Sequence, residues 1–308
     1  MGYSDVVAEY DRIRAKNEAE MQRRRQEVYE RLPALAEIRK QKEALQLQFL
    51  RDALDGKTSA ADEIDALREK EKALLKKAGC APAYLDPIYS CDICRDTGLR
   101  EDTTRCECFK QRMLEDKLQA AKLTDSGISF AQFDLSIFSD EPVFDGKSHR
   151  DIMKKIKQHA EQYTIDYPHC EAFLILSGAT GLGKTYISKC IQRAVIERGV
   201  TAAFYTAYRL FSMFHRHRLG EEIDLDPVFK VPLLIIDDIG TEPMTRNVTI
   251  EYFFDLINER NDAGLHTVIV TNLKLNAIKD RYGERIHSRL MDKYASKKIL
   301  FNGADVRY

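Results

Sequence analysis

The sequence predicts an α/β fold, a parallel sheet flanked by helices, preceded by a helical or coiled-coil segment and a small cysteine-rich module. Three observations predict it. From residue 151 onward helical stretches alternate with apolar runs at 173–176, 202–205, 233–236 and 267–270, and strands buried on both faces read as such continuous runs. The first run leads into the glycine-rich stretch SGATGLGKTYIS at 177–188, a loop between a strand and a helix. Further upstream, five of the seven cysteines lie between Cys80 and Cys108.

The chain as a whole sets limits. Its 308 residues are enough for two domains, one with a full α/β core. A net charge of -1 gives no global attraction to nucleic acid, so DNA binding would need a local basic surface. No apolar stretch approaches the roughly 20 residues that cross a bilayer, and MGYSDVVAEYDR lacks the basic start and apolar run of a signal peptide. The expectation is a cytoplasmic protein with no membrane partner. An odd number of cysteines in an unexported chain argues against a disulfide framework.

Residues 1–78 are dense in Glu, Lys, Arg, Gln and Ala, with Pro33 the only proline. Apolar positions recur at helical gaps as Val6, Tyr10, Ile13, then Val28, Leu32, Leu35, Ile38, then Leu45 and Phe49. Asp55-Gly56-Lys57-Thr58 breaks the pattern, and Ser59 with Asp62 caps a second helix carrying Ile64, Leu67 and Leu74. This reads as a helical hairpin or coiled coil. The competing reading is a solvated charged spacer, because Asn17, Met21 and Arg23-Arg24-Arg25 thin the apolar stripe.

Residues 79–112 are a compact module with turn residues at Pro82, Pro87 and Gly98. Cys91 and Cys94 form one tight pair, and Cys106 and Cys108 form another after eleven intervening residues. Four thiolates so spaced converge on one tetrahedral ion, and their softness favours structural Zn²⁺. An iron–sulfur cluster and a thiol redox pair are the alternatives. Cys80 is the spare. A linker at 113–150 follows, in which GISFAQFDLSIF offers Phe130, Phe133 and Phe138 as apolar anchors.

The domain at 151–308 carries the chemistry. Gly178, Gly183, Lys184 and Thr185 satisfy the phosphate-loop pattern, with Gly181 between them, in the required strand–loop–helix context. Such glycines let backbone N–H groups form an anion nest at a positive helix end. Lys184 would reach the β and γ phosphates of ATP, and the Thr185 hydroxyl would enter the shell of Mg²⁺. A second carboxylate source is needed. VPLLIIDDIG supplies Asp237 for Mg²⁺ and Asp238 to polarise the attacking water. HTVIVTNL ends in Asn272, placed to bond that water or the γ-phosphate. YGERIHSRLMDKY puts Arg285 and Arg289 on one helical face, either as arginine fingers or as surface salt-bridge residues.

Taken together, the phosphate loop, LLIIDD, the strand-terminal TN, GERIHSRL and the closing ILFNGADVRY resemble the AAA+ ATPases of the DnaC and DnaI helicase-loader family, over about residues 130–308. The resemblance implies an AAA+ P-loop fold. It also implies that Arg289 is the finger, Arg285 its support and Arg307 a second sensor. Phe130 and Phe133 of FAQFD would pack around the nucleotide. The cysteine module is similar to the zinc-bearing region of the Gram-positive loaders that grips the replicative helicase, although here all four ligands are cysteine and the preceding helical segment is long. Asp238 stands where most AAA+ proteins have Glu, which implies slow hydrolysis.

AYRLFSMFHRHRLGEE at 207–222 lies where this clade carries helices facing single-stranded DNA. Arg209, Arg216 and Arg218 give it a positive strip, with Tyr208, Phe211 and Phe214 interleaved. Phe211 and Phe214 at helical spacing also suit a core. The implied function is an ATPase that binds a replicative DNA helicase hexamer and places it on single-stranded DNA, self-assembling head to tail. The alternatives are an IstB-like transposition ATPase acting with a transposase, and a nucleotide-gated adaptor without significant turnover.

Overall fold

The structure, a computed structural model, describes residues 3–54, 61–123, 127–144 and 146–302. The expected break at Asp55–Thr58, its cap Ser59, and Arg307 lie outside them. The chain forms two compact units, Met1–Met113 and Leu114–Tyr308.

The first unit begins with α1 (Tyr3–Arg31), α2 (Pro33–Leu54) and α3 (Ala61–Lys77). Pro33 separates the first two because it lacks an N–H and is tolerated at the first position of a helix. Leu35 and Val28, on either side of that break, bury against Leu75 of α3. The run Arg23-Arg24-Arg25 sits on a solvated face, paired with Glu18, Glu20 and Glu27 of the same helix. The cysteine module follows, and α4 (Glu107–Ala120) starts at its last pair.

In the second unit β1 (Pro142–Phe144) and β2 (Lys147–Ser148) form an antiparallel pair. Next comes α5 (His149–Asp166), which starts from a capping box between Ser148 and Asp151. The remaining elements are β3 (Phe173–Gly178), α6 (Lys184–Glu197), β4 (Ala202–Thr206), α7 (Ala207–Arg218), α8 (Asp226–Phe229), β5 (Leu233–Ile239), α9 (Thr249–Asp262), β6 (His266–Thr271), α10 (Leu275–Tyr282), α11 (Glu284–Met291) and β7 (Ser296–Phe301). The five-stranded sheet is parallel throughout, in the order β4-β5-β6-β3-β7.

Side chains alternate across the sheet into two helical layers. Ile175, Leu234, Ile236 and Ile269 pack with α7, α9, α10 and α11, whereas Leu174, Leu176, Ile235, Val268 and Val270 pack with α5 and α6. All four apolar runs are therefore strands in a three-layer α/β unit. β7 is the strand that periodicity did not mark. At the sheet edge it buries Ser296, Ile299 and Phe301 while Lys297 and Lys298 lie half-buried and Leu300 faces out, so no continuous apolar run forms. Phe133 and Phe138 stack at 5.8 Å and enter the core of this unit, with Phe133 against the Tyr186 ring at 5.4 Å. Among the described residues no helix is long and apolar enough to cross a membrane.

Candidate nucleotide site and cysteine cluster

The phosphate loop is built between β3 and α6. Gly178 ends the strand where β7 passes close by, and a Cβ there would lie 2.3 Å from the Phe301 carbonyl oxygen. Gly181 and Gly183 both take φ 82°, turning the loop into the first residue of α6, Lys184. The Lys184 ammonium is buried and donates to the carbonyls of Gly178 at 2.8 Å and Ala179 at 2.5 Å. Thr185 Oγ1 donates to both carboxylate oxygens of Asp237, at 3.0 and 3.1 Å.

Asp237 is buried, and desolvation, reinforced by the charge of Asp238, pushes its carboxyl above the ordinary range, while the Thr185 hydrogen bond opposes the shift. A divalent cation bridging Thr185 and Asp237 would relieve that cost, so the pair fits Mg²⁺. The pairing of β5 with β6 shifts between Ile236 and Ile239, and Asp238 sits in this irregularity at φ 61°. A bulge with left-handed backbone re-aims a side chain. Asp238 accordingly lines a cavity of about 320 Å³ together with Thr180–Thr185 and Asn272.

Arg285 and Arg289 are exposed on α11 and do not line this cavity. The Arg289 guanidinium lies 4.6 Å over the Phe254 ring and donates to Asn258 Oδ1, both on α9. Neither Phe130 nor Phe133 lines the cavity. On α7, Arg209 stacks on Tyr205 at 5.8 Å and Arg216 pairs with Glu221 at 2.5 Å. Arg218 faces a separate cavity of about 670 Å³ lined also by Asp226, Glu251, Asp255 and Glu259. The positive strip is thus interrupted by carboxylates. Phe211 and Phe214 are core residues, and Tyr208 is the exposed aromatic.

In the first unit, the thiols of Cys91, Cys94, Cys106 and Cys108 lie within 4.8 Å of one another. Sulfur separations of 3.9 Å for Cys91–Cys106 and 3.4 Å for Cys94–Cys108 bracket the roughly 3.8 Å expected around tetrahedral zinc. The cluster fits one such ion. Cys80 instead packs against Val28, Leu35 and Leu75.

Sequence reasoning missed two supports of this cluster. Tyr10, read as one position of an apolar stripe, donates its hydroxyl to Cys108 Sγ at 3.0 Å and stacks on Phe109 at 5.7 Å. Asp96 is buried and accepts from the backbone N–H groups of Ser90 and Cys91 and from Asn17 of α1 at 2.8 Å. Spacing alone gives no signal for either, since both act across the fold.

The family described as IstB-like ATP binding protein matches residues 100–294, more than half of the chain. No curated protein matches the sequence. Among solved structures, the DnaC helicase loader is similar at 19% identity and a TM-score of 0.46, over 56% of this chain and 98% of that one. DnaI is similar at 24% identity and a TM-score of 0.43, over 57% and 94%. AMPPCP-bound DnaA from Aquifex aeolicus is similar at 15% identity and a TM-score of 0.46, over 59% and 53%.

Proposed function

Because the chain belongs to the IstB-like ATP-binding protein family, we propose that it is an ATP-hydrolysing loader that binds a replicative DNA helicase hexamer and places it on single-stranded DNA. One observation carries the ATPase reading: the hydroxyl of Thr185 meets the carboxylate of Asp237 at the foot of the phosphate loop, with Asp238 and Asn272 on the wall of the same cavity.

Lys184 exchanges its carbonyl partners for β and γ phosphate oxygens, and the loop's N–H groups hold the rest of the chain of phosphates. Thr185 and Asp237 would hold Mg²⁺, which when bound would supply charge neutralisation on those phosphates. Asp238 accepts the proton of the attacking water, and Asn272 orients that water. Arg289, supported by Arg285, serves a neighbour's γ-phosphate, which requires head-to-tail self-assembly. Single-stranded DNA follows α7 through Arg209, Arg216 and Arg218, with Arg216 releasing Glu221.

The loader reading is supported by the order of motifs through GERIHSRL and by a cysteine cluster ahead of the ATPase unit. In the first unit Cys91, Cys94, Cys106 and Cys108 would hold a structural Zn²⁺. The family description favours a second reading, an IstB-like ATPase acting with a transposase. The full chain used as bait separates the two. Recovery of a replicative helicase hexamer supports the loader, and recovery of a transposase alone supports the second reading.

Lys184→Ala is expected to lower nucleotide affinity and turnover by on the order of 100-fold or more without loss of fold. Unchanged affinity and turnover in a well-folded variant would overturn the site assignment. For the metal, analysis under reducing conditions is expected to find about one Zn²⁺ per chain. Cys91→Ser should lose it, together with helicase binding, while retaining ATP binding. Tyr10→Phe should release metal to a chelator at about 10-fold lower chelator concentration. A wild-type protein without zinc sinks this part of the proposal.

A further inference from the structure

The Glu242 side chain is fully buried and lies just beyond β5, yet it is not among the residues lining the phosphate-loop cavity. Its Oε2 accepts the backbone N–H of Gly240 at 2.8 Å. Its Oε1 accepts from the Tyr282 hydroxyl and from Arg281 Nε and Nη2, the latter two at 3.3 Å. Arg281 also donates to the Glu242 carbonyl oxygen. One carboxylate therefore joins the turn after the Asp237-Asp238 strand to the last two residues of α10.

That turn is fixed from its other sides as well. Ile239 O accepts from Thr271 Oγ1 at 2.6 Å, and Leu273 O accepts from Ser177 Oγ at 2.7 Å, so the ends of β3, β5 and β6 are tied together. Gly240, at φ 108°, passes so close that a Cβ would lie 2.8 Å from Leu273. Asp238, four residues before Glu242, holds a left-handed backbone that a non-glycine residue keeps only where its surroundings enforce it. A buried ion pair is a poor device for stability alone, since apolar residues of the same volume often do as well. What a carboxylate adds is a fixed register between three donor residues, Gly240, Arg281 and Tyr282.

We infer that Glu242 is a positioning residue for ATP hydrolysis: it clamps the turn that aims Asp238 and links that turn, through Arg281 and Tyr282, to the adjoining helix that carries Arg285 and Arg289. Gly283 alone separates α10 from α11, so a shift of Tyr282 is passed to the arginine helix. The inference rests on the ATPase reading above. A change at the γ-phosphate wall would reach the surface that meets a neighbouring protomer by this route.

The test uses the full chain and compares ATP affinity, kcat and thermal midpoint for wild type, Glu242→Gln and Tyr282→Phe. Glu242→Gln keeps an acceptor for Gly240 but turns an amide toward the donors of Arg281 and Tyr282. Its kcat is expected to fall on the order of 10-fold to 100-fold while ATP affinity stays within about 3-fold of wild type. Tyr282→Phe, which removes one donor and leaves the ion pair, should move kcat in the same direction by a smaller factor and covers the case in which Glu242→Gln does not fold. An unchanged kcat in Tyr282→Phe, or loss of ATP affinity in step with kcat in Glu242→Gln, overturns the inference. Wild-type protein that binds ATP without hydrolysing it overturns instead the ATPase reading on which the inference stands.

Discussion

Arg289→Ala is expected to bind ATP with near-normal affinity yet hydrolyse it on the order of 1,000-fold more slowly. The expectation comes from placement. Arg289 is exposed on α11, away from its own chain's phosphate-loop cavity, and its guanidinium is held ready by the Phe254 ring and Asn258. A planar, permanently charged group so presented suits the developing charge on a γ-phosphate bound by a neighbour. Mixing tests the geometry. An assembly of Lys184→Ala chains with Arg289→Ala chains can pair an intact phosphate loop with an intact arginine, so part of the activity should return. If Arg289 only braces α9 against α11, the single variant loses thermal stability and the mixture stays as inactive as its parents. Co-assembly without rescue, followed by light scattering, removes the finger assignment and with it the main support for head-to-tail assembly.

Arg260→Leu is expected to destabilise the second unit by about 4 kcal/mol or more, a large part of the roughly 5–15 kcal/mol that holds a domain folded. Arg260 is fully buried and has no carboxylate partner among the hydrogen bonds and ion pairs of the described residues. Instead it donates to Thr267 Oγ1 at 2.9 Å and to the carbonyls of Val228, Phe229, Val231 and His266 at 2.6–3.2 Å. Burial lowers the guanidinium to about 10, which leaves it charged at neutral pH. Leucine fills part of the space but strands those acceptors, and each buried orphan costs about 1–3 kcal/mol. Lysine should recover only a fraction, because a point ammonium with three donors cannot span the same carbonyls as the guanidinium fork. Urea unfolding monitored in the full chain measures the effect, and a Leu variant that unfolds at the wild-type midpoint would refute this account.

The clearest parts of the protein in the sequence were those whose physics is local. Three strands buried on both faces, β3, β5 and β6, had to be continuous apolar runs, the half-buried edge strand β4 is one as well, and LILSG before GKT could only be a strand feeding a phosphate loop and a helix. Cys91, Cys94, Cys106 and Cys108 declared a four-thiolate cluster by spacing. Phe211 and Phe214, offered by the sequence as either core or stacking platforms, were decided by α7 lying on the sheet, which buries both. β7 was invisible because Lys297 and Lys298 break its apolar pattern, whereas the other edge strand, β4, carries no charge.

What only the tertiary structure decided is every contact made between residues far apart in the chain. Tyr10 meets Cys108 across 98 residues, Glu242 meets Tyr282 across 40, and Arg260 gathers the carbonyls of Val228, Phe229 and Val231 across 29–32. The left-handed turn at Asp238 belongs to the same class, since aspartate tolerates such a backbone but its place is set where the register of β5 against β6 shifts. Periodicity and motif spacing record which residues share a face or a loop. They carry no record of which faces meet, because a buried polar group acquires its partner only when the elements pack, and its desolvation is then what makes that partner matter.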